Sequence, residues 1–147
     1  MAAQGLRRMI SMCFLVSVFV MGGGDLSANA ASLIAKVDLS SQRMQVFVDG
    51  KKKHSWSIAS GKRGWRTPTG RFTPITSYRK KYVKRWNMTL PYAVVLKSSG
   101  IAVHGSNGPM GSPRSHGCIR LSVGNAAKFY RLVGRHGLWG TKVIVTQ

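Results

Sequence analysis

Apolar and polar residues alternate over two neighbouring segments, 33–39 and 44–48. A period of two is typical of β-strands that bury one face. Ser40-Ser41-Gln42 separates the two segments, and the Asp49-Gly50 pair after the second is a strong signal for a tight hairpin turn. The pattern therefore predicts a series of short strands joined by turns, which continues into a strand that contains Trp56.

The remainder of the chain carries further strand patterns and one helical pattern. Tyr92–Leu96 is almost continuously apolar, as expected of a strand buried on both faces, whereas the basic and aromatic segment 78–87 is predicted to be a surface loop or ribbon. Apolar residues at helical spacing lie between Ser122, a suitable N-cap, and Gly137, a suitable helix stop. We predict a mainly β domain, a β-sandwich or open barrel of mixed strands, with one short α-helix after residue 118.

The first thirty residues have the pattern of an export signal. Arg7 and Arg8 precede an apolar run of thirteen residues, 9–21, which is shorter than the ~20 residues needed to cross a bilayer. Ala28-Asn29-Ala30 is a suitable cleavage sequence for signal peptidase. We therefore predict a signal peptide over 1–30, a single domain over 31–147, localisation to the periplasm or cell envelope, and no transmembrane segment after cleavage. The alternative is an uncleaved N-terminal anchor.

The charge is strongly unbalanced. There are 23 Lys and Arg against 3 Asp and no Glu, which gives a net charge of +20. Such a field attracts polyanions, of which nucleic acid would be the first candidate in a cytosolic protein. For an exported chain we predict anionic cell-wall polymers as partners and no nucleic acid. The alternative is that these are ordinary solvated surface residues.

One cysteine remains after residue 30, because Cys13 lies within the apolar run of the predicted signal. That residue, Cys118, follows His116-Gly117 and lies fourteen positions after His104. A thiol attacks as a thiolate, and a nearby imidazole is the usual base. In a first mechanism Cys118 is the nucleophile, His104 is the base, and the backbone N–H groups of Gly117 and Cys118 form an oxyanion hole.

A second mechanism would use His104, His116 and Cys118 as three ligands of a catalytic zinc ion. Zinc hydrolysis normally needs a carboxylate base, and Asp38 and Asp49 both lie in the N-terminal strand region. We therefore predict no metal and no cofactor. The same shortage of carboxylates means that His104 must be oriented by an uncharged group, for which the Gly105 carbonyl, Ser106 and Ser115 are candidates.

The sequence His104-Gly105-Ser106, followed by Ser115-His116-Gly117-Cys118-Ile119-Arg120-Leu121, resembles the L,D-transpeptidase catalytic domain, the YkuD family. The resemblance extends to segments 37–44, 67–72 and 90–92, and so covers most of residues 31–147. The loop between His104 and Ser115 is about two residues shorter than is common in that family.

The resemblance implies acyl transfer on peptidoglycan stem peptides, in cell-wall cross-linking or remodelling. It implies that Cys118 is the nucleophile, that His104 is the proton donor and acceptor, and that the Gly105 carbonyl orients His104. It also implies substrate-binding roles for four further residues: Ser115, His116, Arg120 and Tyr92. The acceptor could be a stem-peptide amine, water, a free D-amino acid or a protein amine. A protein of another class, a non-catalytic cationic wall-binding protein, is the remaining alternative.

Overall fold

The computed structural model describes residues 32–147, which form two mixed β-sheets, one α-helix and a short 3₁₀ turn. The strands, in chain order, are β1 (Leu33–Asp38), β2 (Arg43–Val48), β3 (Lys51–Ser57), β4 (Gly70–Phe72), β5 (Thr76–Val83), β6 (Met88–Val95), β7 (Ala102–Ser106), β8 (Ile119–Ser122) and β9 (Thr141–Thr146). The helix α1 is Val123–His136, and the 3₁₀ turn is Lys84–Trp86. The predicted mainly β fold with a single short α-helix is confirmed.

The first sheet has five strands in the order β3-β2-β1-β9-β4. The apolar residues of the alternating segments point to one side, and Leu33, Ala35 and Val46 are completely buried. The hairpin between β2 and β3 turns through Asp49 and Gly50, both with positive φ (49° and 76°). These values are those of the tight turn that the Asp-Gly pair predicts.

The second sheet has four strands in the order β5-β6-β7-β8, of which β7 and β8 are parallel. Segment 78–87 is thus strand β5 and the 3₁₀ turn, paired with β6 as a ribbon. The sequence did not identify β5 as a regular strand because basic and aromatic side chains occupy both of its faces and remain mostly exposed. Backbone pairing with β6, rather than burial, defines it.

Helix α1 begins and ends where the sequence predicts. The Ser122 hydroxyl accepts a hydrogen bond from the Asn125 N–H at 3.3 Å, and Gly137 ends the helix with a φ of 73°. Phe129 and Val133 are buried on its inner face, and the helix packs against β6, β7 and β8. Side chains from both sheets and from α1 form a single hydrophobic core.

The predictions made for residues 1–30, including the signal peptide and its cleavage after Ala30, lie outside the described residues. Within residues 32–147, no helix is both long and apolar enough to cross a membrane.

Candidate active site

The parallel pair β7–β8 brings His104 and Cys118 to one region of the fold. His104 lies opposite Arg120 in the register, and Cys118 immediately precedes β8. His104 lies inside β7 and is only 3% exposed. The strand extends because its pairing with β8 continues to Ser106 and Ser122.

A cavity of about 250 Å³ opens between this part of the second sheet and the neighbouring loops. Five of the predicted site residues line it: His104, Ser115, His116, Cys118 and Arg120. Its other walls come from the loop 61–67, from the ribbon formed by β5 and β6, and from the turn 99–101. The cavity is therefore lined by residues from both parts of the sequence motif. These residues lie in β7, in the segment before β8 and in β8 itself.

The ring of His104 is held by its own neighbour in the chain. His104 Nδ1 donates a hydrogen bond to the Gly105 carbonyl at 2.8 Å. The proton on Nδ1 leaves Nε2 as the acceptor nitrogen of the neutral ring. Burial is the main cause that lowers the pKa of His104 from its ordinary value of 6.5; Arg120 adds to this and the Gly105 carbonyl opposes it. The imidazole is consequently neutral at neutral pH.

The strand around Gly105 explains why that carbonyl is fixed. A Cβ at residue 105 would lie 3.1 Å from both Pro91 Cγ and Val123 Cα, and 3.3 Å from Ala126 Cβ. Glycine thus allows β6 and the first turn of α1 to pack closely on β7. The contact that orients His104 is therefore part of the core packing.

Cys118 is partly exposed at the cavity, and its Sγ donates to the Gly100 carbonyl at 3.5 Å. Burial raises the pKa of Cys118 above its ordinary value of 9.0, whereas the backbone N–H of Ala102 and the charge of Arg120 act in the opposite direction. The resting thiol is therefore protonated. Burial disfavours both charged groups, so Cys118 and His104 rest as a neutral pair and not as a preformed thiolate–imidazolium pair.

Ser115 connects the segment that carries Cys118. Its buried hydroxyl donates to the Cys118 carbonyl at 2.5 Å and accepts from the Gly117 N–H at 3.0 Å. The Gly117 N–H, predicted as an oxyanion-hole donor, is therefore already engaged. The backbone N–H of Cys118 precedes β8, and it has no acceptor among the turn and side-chain hydrogen bonds found in residues 32–147.

The sequence suggested that Gly117 contributes an oxyanion-hole N–H, whereas the structure shows that its backbone angle and close packing require glycine. Its φ is 110°, and a Cβ there would lie 2.9 Å from Ile101 Cδ1. Its carbonyl accepts from Thr67 Oγ1 at 2.9 Å. Gly117 thus lets the segment before Cys118 pass tightly between Ile101 and the loop 61–67.

Cations surround the cavity. Lys81, Arg85 and Arg120 line it, and no Asp or Glu of the described part of the chain does. Arg120 Nε is buried and has no hydrogen-bond partner among the described residues. A buried guanidinium N–H without an acceptor favours an anionic or carbonyl group in the space beside it.

Two tryptophan rings form the outer part of the cavity and pack on His116. His116 stacks on Trp86 with ring centroids 4.2 Å apart and an interplanar angle of 2°, and Trp65 meets both rings edge-on. The sequence did not identify Trp65, Trp86, Lys81 or Arg85 as site residues. The signal available in the sequence was a single tryptophan among basic residues in each of the segments 61–66 and 78–87.

Tyr92 does not line the cavity, in contrast to the substrate-binding role implied for it. Its ring lies 5.8 Å from that of Tyr130 on α1. Regular alternation along β6 would place Tyr92 on the same face as Leu90, which does line the cavity. The left-handed backbone of Tyr92, with a φ of 53°, interrupts that alternation.

Besides His104, the chain contains three histidines: His54, His116 and His136. His116 faces Trp86, and within residues 32–147 no three His, Cys, Asp or Glu side chains are grouped so as to hold a metal ion. The three-ligand arrangement of the zinc alternative is thus not present there. His54 and His136 are half-buried, and the ring of His54 stacks on that of Trp56 with centroids 4.7 Å apart. Neither residue lines the cavity.

The fold and the site can be compared with known proteins. Solved structures of L,D-transpeptidases are similar to this chain, one from Mycobacterium smegmatis with 27% sequence identity and a TM-score of 0.73 over 80% of this chain and 59% of that chain. An L,D-transpeptidase in complex with imipenem is similar at 25% identity, with a TM-score of 0.72 over 79% of this chain and 59% of that chain. A third, from Stackebrandtia nassauensis, shares the fold at 24% identity, with a TM-score of 0.70 over 79% of this chain and 56% of that chain.

The chain therefore spans less than two thirds of the length of these proteins. No curated protein matches its sequence. A family model, the L,D-transpeptidase catalytic domain YkuD, matches residues 32–145. This match covers most of the sequence, and we conclude that the chain belongs to the family of L,D-transpeptidase catalytic domains.

Proposed function

We propose that this protein is a peptidoglycan L,D-transpeptidase with Cys118 as its nucleophile and His104 as its proton donor and acceptor. The observation that carries the proposal is the shared cavity of Cys118 and His104, with His104 Nδ1 tied to the Gly105 carbonyl. This tie leaves Nε2 as the basic nitrogen of the ring. Structures of related transpeptidases with imipenem and with a faropenem-derived adduct support β-lactams as probes of the same site.

The reaction begins from a neutral pair. As Cys118 Sγ attacks the carbonyl of the L-to-D bond of a stem peptide, its proton passes to His104 Nε2. A tetrahedral intermediate forms, the C–N bond breaks, and His104 returns the proton to the departing amine. An amine acceptor then gives its proton to His104 and attacks the thioester, and the Cys118 sulfur leaves and is protonated again. Each step uses one proton on one imidazole nitrogen.

The backbone N–H of Cys118 is the first donor for the oxyanion in this proposal. The N–H of Gly117 serves as a second donor only if the Ser115 hydroxyl releases it, since that hydroxyl accepts it at 3.0 Å. Ser115 would then keep its bond to the Cys118 carbonyl. Formation of the complete oxyanion hole therefore accompanies substrate binding.

The cationic cavity supports an acidic substrate. Stem peptides carry carboxylates, and Arg120, with its unpartnered Nε, is the buried cation beside Cys118. His116 and Ser115 complete the inner wall. We propose a stem-peptide amine as the acceptor; transfer to water, to a free D-amino acid or to a protein amine would use the same chemistry.

We further propose that residues 1–30 direct export and are removed, so that residues 31–147 work in the periplasm or cell envelope. The excess of basic residues supports retention on anionic wall polymers. N-terminal sequencing of the exported protein tests the cleavage; a sequence that begins at Met1 would contradict it.

The deciding experiment is incubation of the purified protein with isolated sacculi, followed by muropeptide analysis. We expect new L,D cross-links with the wild type and none with Cys118→Ala. Trimmed stems without cross-links would identify a carboxypeptidase, and binding without either product would identify a wall-binding protein.

Acylation by a carbapenem gives a second readout that needs no acceptor. Intact-protein mass spectrometry is expected to detect one adduct on the wild type. An adduct that persists in Cys118→Ala would show that the nucleophile is misassigned.

A further inference from the structure

The cavity that contains His104 and Cys118 is called the active cavity. A second cavity, of about 200 Å³, lies against the loop 61–67, which also borders the active cavity. The loop 61–67 separates the two. The side chain of Trp65 lines the active cavity, whereas Lys62, Arg63 and Arg66 line the second one. One short loop thus presents an aromatic ring to one space and three cations to the other.

Three cations line the second cavity. Within residues 32–147 no Asp or Glu side chain lines it, and Gln147 lies at its rim. Asp38, next to the lining residue Leu39, accepts hydrogen bonds from Ser40 and Ser41. Lys62, Arg63 and Arg66 lie within five consecutive residues and repel one another. An anion bound between them would relieve that repulsion.

The floor of the cavity is buried and already hydrogen-bonded. Gln42 is 4% exposed; its Nε2 donates to the Leu39 carbonyl and to Ser60 Oγ, both at 2.7 Å, and its Oε1 accepts from the Ser60 N–H at 3.0 Å. Thr67 Oγ1 accepts from the Gly61 N–H and donates to the Gly117 carbonyl. Gln42 and Thr67 therefore have no donor left for a ligand, whereas Lys62, Arg63 and Arg66 present charged donors, which favours an anion over a neutral polar group.

The loop is bonded directly to the catalytic segment. The Lys62 N–H donates to the Ser115 carbonyl at 3.0 Å, and Thr67 Oγ1 donates to the Gly117 carbonyl at 2.9 Å. Gly61 allows the loop to fold back on itself, since a Cβ there would lie 1.8 Å from the Trp65 carbonyl oxygen. A ligand that fixes the loop on one side therefore also fixes Trp65 and the Ser115–Cys118 segment on the other.

We propose that the second cavity is an anion-binding site for phosphate or carboxylate groups of the cell wall, and that its occupation holds Trp65 in place at the active cavity. The identification of the wall as the source rests on the proposed function. The site itself rests on the three cations, the bonded floor and the shared loop.

The test compares two double variants that remove the same charge. Arg63→Gln/Arg66→Gln removes two cations from the second cavity. Arg79→Gln/Lys80→Gln removes two exposed cations of β5 that line neither cavity. Binding of tripolyphosphate and of short polyglutamate is measured by calorimetry at fixed ionic strength, with near-ultraviolet circular dichroism as the check that each variant is folded.

We expect the dissociation constant to rise by about tenfold or more in Arg63→Gln/Arg66→Gln, because hydrogen bonds to charged groups are strong, and to change by less than about threefold in the β5 variant. Tighter binding of tripolyphosphate than of polyglutamate would assign the site to a phosphate-bearing polymer. Equal binding of the two would mean that the site also accepts peptide carboxylates. Equal weakening in both variants, or no binding by the wild type, would overturn the site.

The link to the active cavity has its own measurement. Saturating tripolyphosphate is expected to change the carbapenem acylation rate of the wild type and of the β5 variant, and to leave that of Arg63→Gln/Arg66→Gln unchanged. An unchanged rate in the wild type would overturn the link. Failure of the proposed function is distinguishable, since the wild type would then form no carbapenem adduct whether or not it binds anions.

Discussion

The two walls of the active cavity are built in different ways. The inner wall consists of β7, β8 and the Ser115–Cys118 segment, in which His104 and Ser115 are buried and bonded to backbone groups. The outer wall consists of exposed rings, Trp65 and Trp86, which contact His116 by stacking and edge-on packing.

This difference separates chemistry from substrate contact. Backbone hydrogen bonds between strands fix atoms to within a few tenths of an ångström, which proton transfer to and from His104 requires. Stacked surface rings adapt to the shape of what binds between them. Changes on the inner wall should therefore act on rates of bond formation, and changes on the outer wall on substrate affinity.

The largest effect is expected from His104→Ala, which removes the proposed base. Carbapenem acylation should slow by about 10²–10⁴-fold, the usual contribution of general acid–base catalysis. Stopped-flow measurement of β-lactam consumption gives the rate, with Trp86→Ala as the variant from the opposite wall. A loss of less than about tenfold in His104→Ala would show that another group takes the thiol proton.

The pH dependence of wild-type acylation comes next. Because the pKa of His104 lies below 6.5 and that of Cys118 above 9.0, the neutral pair is the reactive form. The rate should be constant around neutral pH and fall about tenfold per unit only once the pH drops below the lowered pKa of His104. An acid limb centred at or above 6.5 would contradict the lowered pKa of His104, whereas a decline towards pH 8 would indicate a preformed thiolate–imidazolium pair.

A smaller loss is expected from Ser115→Ala, which removes the hydroxyl between Gly117 and Cys118. Two backbone groups lose their buried partner, so the free energy of unfolding should fall by about 1–3 kcal/mol for each. The Gly117 N–H is freed, but the Cys118 carbonyl loses the bond that positions its segment, so the acylation rate should fall by about tenfold. Ser115→Thr retains the hydroxyl and is the matched control. A loss of thermal stability without a change in rate would limit Ser115 to a structural role.

The smallest effect is expected from Trp86→Ala. The stack on His116 disappears, and the KM for muropeptide donors should rise several-fold, in keeping with about 1 kcal/mol for one aromatic contact. The kcat should change little. A fall in kcat at constant KM would contradict the division of roles between the walls.

The comparison also explains what the sequence could predict. The alternation of 33–39 and 44–48, the Asp49-Gly50 turn and the limits of α1 depend on neighbouring residues, and the structure confirms them. The features that the sequence missed depend on distant contacts. The engaged N–H of Gly117 and the displaced side chain of Tyr92 follow from hydrogen bonds and backbone angles that no local pattern encodes.

The outer wall was missed for a related reason. Trp65 and Trp86 belong to two loops well separated in the sequence, and each alone is an ordinary surface aromatic. Only the sheet arrangement brings both against His116. By contrast, His104 lies in β7 and Cys118 immediately precedes β8, the next strand in the chain, so their proximity could be expected from the motif.

The parallel pairing of β1 with β9 has a consequence for how the chain acquires its fold. Leu33 pairs with Thr141 and Asp38 with Thr146, so the strands at the two ends of the described chain meet side by side, and β9 separates β1 from β4. Contacts so distant in sequence cost much chain entropy and slow folding. The five-stranded sheet can close only after Thr141–Thr146 has been synthesised, so we expect a nascent chain that stops short of this strand to remain open and sensitive to proteases.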